Sequence, residues 1–290
     1  MIKQYFKKVI NKLLECFWPA PRIMTSEETI RQMAEEGQSL GRFGDGEMML
    51  LLNSGDLKFQ RRDSLLAKRL AQVLSSKEEG FLVGLPLVFT KNDLHTRNAS
   101  SADFWRDNLR NTRLEWYRRI DLRRSYANST FTRNYLTLKD KTSSEAYFKQ
   151  VRSIWEQRHV LVVEGEKSRV GVGNPLFSNA LEVKRIICPS ENAFSCYQQI
   201  LDTVRKLPKD HLVLISLGPT ATVLAFDLFR SGYQAIDIGH IDIEFEWFLR
   251  GSTEREMIPG KDVAEAGGMI EDNLYLNAEY HNQIVGIITV

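Results

Sequence analysis

Cysteine is scarce in this sequence, and its spacing excludes two common kinds of protein. Only Cys16, Cys188 and Cys196 occur among the 290 residues. Because three is an odd number and no Cys-x-x-Cys pair is present, we expect neither a disulfide framework nor a zinc motif. The pattern fits a reducing compartment, and we expect the protein to be cytoplasmic.

Long apolar runs and a strong net charge are also missing. No stretch of about 18 apolar residues occurs, so no transmembrane helix is expected. Lysines recur through the N-terminus without a cleavage site after an apolar core, which argues against a signal peptide. The net charge of +2 does not suggest a nucleic-acid-binding protein. With 43% hydrophobic and 26% charged residues, the composition is that of a soluble globular protein.

Residues 1–22 are predicted to form an amphipathic N-terminal helix and its exit. Apolar side chains recur at steps of three and four and share one helical face; they are Ile2, Tyr5, Phe6, Val9, Ile10, Leu13, Leu14 and Phe17. Lysines lie largely outside this stripe, and Pro19-Ala20-Pro21 ends the helix. Two interpretations of residues 2–18 stay open: packing on the main domain or in a homodimer, or peripheral contact with the inner face of the cell membrane.

Residues 23–290 are predicted to form a single α/β domain. Apolar strands are predicted at 39–43, 80–85, 159–164, 185–188, 212–217 and 235–238. Helices are predicted from about Thr25 and at 48–52, 193–206 and 220–229, and residues 60–158 are predicted to be mostly helical. Alternating strands and helices indicate a Rossmann-like, mostly parallel sheet with helices on both faces. Ligands of such sheets bind at the carboxyl ends of the strands.

Asp45-Gly46-Glu47 follows the first of these strands. Two carboxylates two residues apart can approach one hard cation such as Mg²⁺ or Mn²⁺, which typically keeps substrate phosphates in its shell. The flanking glycines let the chain turn sharply and let a ligand approach. Asp-x-Glu is a weak motif, and an Asp-Gly hairpin turn explains it equally well.

Two strand-end segments are rich in groups that bind anions. The loop at 164–174 contains three glycines, whose backbone N–H groups can cradle an anion, and Arg169, which can pair with a phosphate. Gly218-Pro219-Thr220 begins a helix whose N-terminus is open to an anion. A connecting loop and ordinary helix capping are the alternatives. Ser190 and Asn192, after another strand, can cap the next helix or bind a ribose or base.

The densest polar cluster runs from His240 to Glu246 in an otherwise apolar stretch. Asp242, Glu244 and Glu246 share a face if the segment is extended, and Asp242 and Glu246 do if it is helical. Either geometry brings together carboxylates of the kind that act as a general base. The alternative is a solvated acidic face.

Taken as an ordered set, these segments resemble the bacterial GT-D type glycosyltransferases. The resemblance runs from about Ile23 to Gly267 and rests on five segments: 42–47, 165–174, 187–190, 217–221 and 237–242. It implies a Rossmann-like domain, a UDP-sugar donor, and Mn²⁺ or Mg²⁺ bound through an Asp-x-Glu motif, which Asp45 and Glu47 match. Residues 1–22 lie outside the shared region.

The resemblance and the strand-end positions together define the expected site. Asp45 and Glu47 are the expected metal ligands, and His240, Asp242 and Glu246 the expected catalytic residues. The expected nucleotide-sugar contacts are Gly44, Asp45, Arg169, Gly171, Gly173, Asn174, Pro189, Ser190, Asn192, Gly218, Pro219 and Thr220.

The expected reaction moves a hexose, with glucose the first expectation, from a UDP-sugar to a glycan, glycoprotein or lipid-linked saccharide. A Rossmann-type methyltransferase and a non-catalytic nucleotide-binding adaptor are the alternatives. The sequence does not select the sugar, the acceptor or the stereochemical outcome.

Overall fold

The computed structural model describes residues 2–269 and 278–289. Met1, 270–277 and Val290, which fall within the two predicted units, lie outside the described residues. None of the described helices is long and apolar enough to cross a membrane.

A nine-stranded sheet forms the centre of the molecule. In chain order its strands are β1 (Arg22–Ile23), β2 (Ser39–Arg42), β3 (Phe81–Leu85), β4 (Ser125–Asn128), β5 (His159–Gly165), β6 (Glu182–Cys188), β7 (Leu212–Ser216), β8 (Ala235–Asp237) and β9 (Ile284–Ile287). They lie in the order β1-β4-β3-β2-β8-β7-β5-β6-β9, and every described pair is parallel. The predicted parallel α/β fold is therefore confirmed.

Helices cover both faces of the sheet. They are α1 (Ile2–Phe17), α2 (Ser26–Ala34), α3 (Asp45–Leu51), α4 (Ser64–Ser75), α5 (Lys91–His95), α6 (Ala99–Tyr117), α7 (Ser144–Arg152), α8 (Tyr197–Val204), α9 (Pro219–Arg230), α10 (Ile241–Arg250) and α11 (Ala278–Gln283). Successive residues of β5 belong to opposite cores: Val160 and Val162 pack on one side, Leu161 and Val163 on the other. This alternation explains why β5 is a continuous apolar run.

Two helices begin at residues that the sequence marks as helix starts. Thr25 caps α2 through its hydroxyl, and Glu28 completes the capping box by accepting from Thr25 N–H at 2.8 Å. Pro219 occupies the first turn of α9, as the sequence predicted. The short strands β1, β4 and β9 were missed, because two to four residues without strict alternation give too little pattern.

Candidate functional site

A cavity of about 380 Å³ lies where seven neighbouring strands end. This volume is in the range of small-molecule sites. Residues that follow β2 to β8 line it, together with a loop after α3, Trp105 of α6 and the segment near 262–265. The polar members of this lining are Arg42, Asp45, Glu47, Ser129, Thr130, Arg133, Lys167, Ser168, Ser190, Ser216, His240, Asp262 and Glu265.

Asp45 and Glu47, hereafter the cavity carboxylates, both line the cavity from the first turn of α3. Glu47 Oε2 accepts a hydrogen bond from Gly44 N–H at 2.8 Å. The motif therefore begins a helix, and the hairpin-turn alternative does not hold. The sequence placed this helix three residues later, at Met48. Acidic side chains favour an earlier start because they cap and complement the N-terminal N–H groups.

Neither cavity carboxylate makes an ion pair with the described residues. Burial raises the pKa of Glu47 to about 7; the nearby Asp237 adds to this shift, and Arg42 opposes it. Arg42 forms its ion pair with Asp237, since its Nη2 lies 2.8 Å from Asp237 Oδ1. Asp45 makes no hydrogen bond or ion pair with the described residues. The site is therefore suited to receive a cation.

The chemistry of these groups fits Mg²⁺ or Mn²⁺ only together with a substrate. Among residues 2–269 and 278–289, no three His, Cys, Asp or Glu side chains cluster closely enough to hold a metal. Asp45 and Glu47 supply two carboxylates. Magnesium is commonly bound by one or two carboxylates plus substrate phosphates and waters, so this donor set is compatible with a cation that arrives with a diphosphate.

The floor beside these carboxylates is held by Arg42. Its guanidinium joins the ends of β2 and β8 through Asp237 and also donates to Thr132 Oγ1 at 2.9 Å. Gly239 has φ of +44°, and a Cβ there would lie 1.7 Å from Arg42 Nη2. Only glycine therefore allows this guanidinium to lie against the chain after β8.

Two further cationic side chains, Lys167 and Arg133, line the cavity, and Arg133 interacts electrostatically with Asp45. Lys167 is exposed, and its ammonium makes no ion pair with any described residue. Its backbone is fixed, because Lys167 N–H donates to Ser190 Oγ at 3.1 Å and its carbonyl accepts from Asp262 N–H at 2.9 Å. Arg133 instead pairs with Glu265 at 2.7 Å. Lys167 is thus available to an anionic ligand.

His240 lines the cavity as a neutral imidazole. Burial, and then the neighbouring Arg133, lower its pKa to about 3. Its Nε2 has no hydrogen-bond partner among the described residues, although Glu265 Oε2 lies 3.8 Å away. Burial opposes the ionisation of Glu265, yet Arg133 and His240 lower its pKa to about 2.

Asp242 and Glu246 lie elsewhere, in what we call the buried network: Asn174, Asp242, Glu246 and Lys261. Lys261 Nζ is 2.6 Å from Asp242 Oδ2 and 3.0 Å from Glu246 Oε1. The segment is helical, so the two carboxylates share a face as that alternative predicted. Both are buried and neither is among the described cavity residues. The structure therefore does not bring Asp242 or Glu246 to the cavity of Asp45, and their contacts favour a structural role; the catalytic role stays a prediction.

Glu244 is also kept from the cavity, because its Oε2 accepts from the N–H groups of Tyr135 and Leu136. Glu244 is buried as well, which excludes the solvated acidic face.

The glycine-rich loop at 164–174 contributes residues both to the cavity and to the buried network. Its first part, Gly165 to Ser168, reaches the cavity. Its second part turns away: Gly171 N–H donates to Asp242 Oδ1 at 2.9 Å, and Arg169 donates to Gly260 O at 2.8 Å. Gly171, Gly173 and Asn174 line a separate cavity of about 390 Å³ beside Tyr280. The structure therefore does not bring Arg169, Gly171, Gly173 or Asn174 to the cavity of Asp45.

Several of the other predicted nucleotide contacts hold a loop over the cavity. Asn192 Oδ1 accepts from Arg61 N–H at 2.8 Å, and Thr220 Oγ1 lies 3.3 Å from Gln60 Oε1. Gly218 has φ of +52°, and a Cβ there would lie 2.6 Å from the Phe59 ring. These contacts place Phe59 on the cavity wall. Asn192, Thr220 and Pro219 do not line the cavity themselves, whereas Gly44, Pro189, Ser190 and Gly218 do.

Sequence reasoning missed Phe59, Trp105, Arg133, Lys167 and Asp262 as members of this site. Lys167 lay within the loop singled out by its glycines, so its strand-end position was a usable signal. The other four come from segments that reach the cavity only through the tertiary fold.

We compared the chain with known protein families and proteins. Residues 40–266 match the family model for the glycosyltransferase GT-D fold. The chain is 38% identical over 84% of its length to a probable glycosyl transferase, Gly, of Streptococcus gordonii. It is 34% identical over 99% of its length to the glycosyltransferase GlyD of Streptococcus pneumoniae. In each comparison the chain spans 35% of the relative's length.

A solved structure shares the whole architecture. It is a domain of unknown function, numbered 1792 and described as having a distinct glycosyltransferase fold. It superposes with a TM-score of 0.88 at 36% identity, covering 99% of this chain and 100% of that one. The parallel sheet and the family match extend over the cavity described above. The chain therefore belongs to the family of glycosyltransferases with the GT-D fold.

Proposed function

We propose that this chain transfers a hexose, with glucose the first expectation, from a UDP-sugar to a saccharide acceptor, with a divalent cation held at Asp45 and Glu47. The acceptor is a glycan, a glycoprotein or a lipid-linked saccharide. The observation that carries the proposal is the pair of cavity carboxylates at a strand end, with Asp45 unpaired among the described residues. Three free cysteines support a reducing compartment, and we place the reaction in the cytoplasm.

The lining of the cavity suits both the diphosphate and the base of a nucleoside diphosphate. Asp45 and Glu47 would hold Mn²⁺ or Mg²⁺, which neutralises the charge that develops on a leaving diphosphate. Lys167 lies on the rim of the same cavity and can contact diphosphate oxygens. Phe59 offers an aromatic face against which the uracil can stack, since its ring is partly exposed on the wall.

An inverting displacement also needs a base for the acceptor hydroxyl. We assign this role to Asp262. It lines the cavity, and its carboxylate makes no hydrogen bond or ion pair with the described residues. Glu265 is bound to Arg133, and the low pKa of His240 makes that imidazole a weak proton acceptor. His240 would instead orient the acceptor hydroxyl through a hydrogen bond.

The test is a thermal-shift screen followed by donor hydrolysis. UDP, GDP and S-adenosylmethionine are each added with and without Mn²⁺, and the best nucleotide is then tested as a panel of its sugars. We expect UDP with Mn²⁺ to stabilise the protein most and UDP-glucose to be hydrolysed. Stabilisation by S-adenosylmethionine without metal would favour the methyltransferase, and UDP binding without hydrolysis of any donor would favour the adaptor.

A further inference from the structure

Helix α1 packs on the domain through its polar side. Asn11 is 2% exposed, and its amide bridges two backbone groups of α6. Asn11 Nδ2 donates to Arg110 O at 2.8 Å, and Leu114 N–H donates to Asn11 Oδ1 at 2.7 Å. These two α6 groups are four residues apart, the spacing of a helical hydrogen bond. Asn11 therefore fixes which side of α1 faces the protein.

The apolar side of α1 faces away from the protein. Leu13 is 51% exposed, Phe17 79% and the adjoining Trp18 57%. Phe6, Val9 and Ile10 are exposed as well. At 3.6 residues per turn this face lies about 140° around the helix from Asn11. A helix on a globular domain normally turns its apolar stripe inward. Here Leu14 is half-buried, whereas Phe6, Val9, Ile10, Leu13 and Phe17 point away from the domain.

Positive charge accompanies this apolar face. Residues 2–18 contain four lysines, Lys3, Lys7, Lys8 and Lys12, and one acidic residue, Glu15. The segment thus carries +3 (four minus one), more than the net +2 of the whole chain. Lys8 and Lys12 are exposed on α1. Such a charge disfavours pairing of two copies of α1 and favours an anionic surface.

We propose that the face of α1 formed by Phe6, Val9, Ile10, Leu13 and Phe17, with Trp18, binds an anionic lipid surface. The apolar and aromatic side chains enter the boundary between headgroups and acyl chains, and the lysines contact the headgroups. Asn11 holds the domain on the opposite side of the helix, so the chain sits on the bilayer without crossing it. The proposal does not depend on the identity of the donor or acceptor.

Vesicle flotation of the full chain tests the proposal. The vesicles contain phosphatidylcholine alone or phosphatidylcholine mixed with phosphatidylglycerol, at low and high salt. The test variants are Leu13→Ser combined with Phe17→Ser, and Lys8→Gln combined with Lys12→Gln. Leu181→Ser is the control, because Leu181 is 58% exposed but lies outside α1, directly before β6.

We expect the wild type and Leu181→Ser to float with anionic vesicles and to be released by salt. The Leu13/Phe17 variant should partition at least about tenfold more weakly, because two inserted side chains are lost. The lysine variant should lose about fivefold per lysine and much of its salt dependence.

Three results would overturn the proposal. The first is a wild type that stays unbound at low salt, and the second is a Leu13/Phe17 variant that binds as the wild type does. The third is a wild-type dimer in sedimentation that the Leu13/Phe17 change dissociates, which would assign the face to a second copy. Circular dichroism and an unchanged thermal unfolding midpoint would show that each variant remains folded.

Discussion

The cavity carboxylates and the buried network are both acidic, yet they have opposite electrostatic states. In the buried network, one ammonium lies within 3.0 Å of two carboxylates, and Asn174 donates to both. At the cavity, Asp45 makes no contact of this kind with the described residues, and burial raises the pKa of Glu47. Lys261 pairs with both carboxylates of the buried network, whereas no described cationic side chain pairs with Asp45 or Glu47.

This difference distinguishes ligand-binding carboxylates from structural carboxylates better than residue type does. A carboxylate that the protein has already neutralised cannot hold a substrate's cation, whereas removal of its partner leaves a buried charge. An incompletely neutralised pair at a cavity is a candidate for ligand binding. Four sets of substitutions, each with its comparison variant or readout, test the distinction.

Asp45→Ala and Glu47→Ala should have the largest effect, and it should be on activity. Loss of a ligand to a catalytic cation removes several kcal/mol of transition-state stabilisation, on the order of a 10³-fold lower rate. Manganese-dependent donor hydrolysis measures it. Both variants should fold, because neither side chain belongs to the described hydrophobic cores. Glu47→Ala should in addition lose about 0.5–2 kcal/mol of stability with the hydrogen bond from Gly44 N–H. Near-normal hydrolysis in both variants would mean that the pair has no role in the reaction.

Lys261→Met should show the reverse pattern. Lys261 is 1% exposed, and its removal leaves Asp242 buried without a cation and Glu246 with only Arg250, 3.6 Å away, at a cost of about 3–5 kcal/mol. Urea denaturation measures this loss. Lys184→Met is the control, since Lys184 makes a partly exposed pair with Glu182 at 3.1 Å and should cost at most about 1 kcal/mol. Equal losses in the two variants would contradict the structural role of the network.

Asp262→Asn tests whether Asp262 takes part in the reaction together with Asp45 and Glu47. If Asp262 is the base, turnover should fall on the order of 10²-fold while UDP binding is retained. Asp242→Asn is the comparison, because Asp242 belongs to the buried network. It should lower the stability of the protein and leave turnover of the folded protein close to normal. Wild-type turnover in Asp262→Asn would remove it from the chemical step.

Phe59→Ala should have the smallest effect. It should separate binding of the uracil from binding of the diphosphate. Loss of a stacking surface typically costs about 1–3 kcal/mol per base. Calorimetry should therefore show weaker binding of UDP but unchanged binding of pyrophosphate with Mn²⁺. Phe104→Ala, an exposed aromatic of α6 outside the cavity lining, serves as the control. Equal weakening of both ligands would show that Phe59 only supports the loop.

The fold was predictable because it depends on local pattern. The strands β5 and β7 are apolar runs bounded by turns, and Thr25 and Pro219 mark helix starts by their own chemistry. The position of Asp45 and Glu47 at a strand end followed from the same pattern. The neutralisation of Asp242 did not, because Lys261 lies nineteen residues away and reaches it only in the folded protein. Phe59 joins the wall for a similar reason, through contacts with Gly218 and Asn192.

The most direct test of the central claim is the binding of Mn²⁺ itself, followed by the electron paramagnetic resonance signal of the free ion. Two carboxylates need substrate oxygens to complete the shell. We therefore predict that the wild type removes little free Mn²⁺ alone and much more when UDP is added. Asp45→Ala and Glu47→Ala should abolish this increase, while Asp262→Asn should retain it. An unchanged signal on addition of UDP to the wild type, or a full increase in both alanine variants, would contradict the assignment of the cation site.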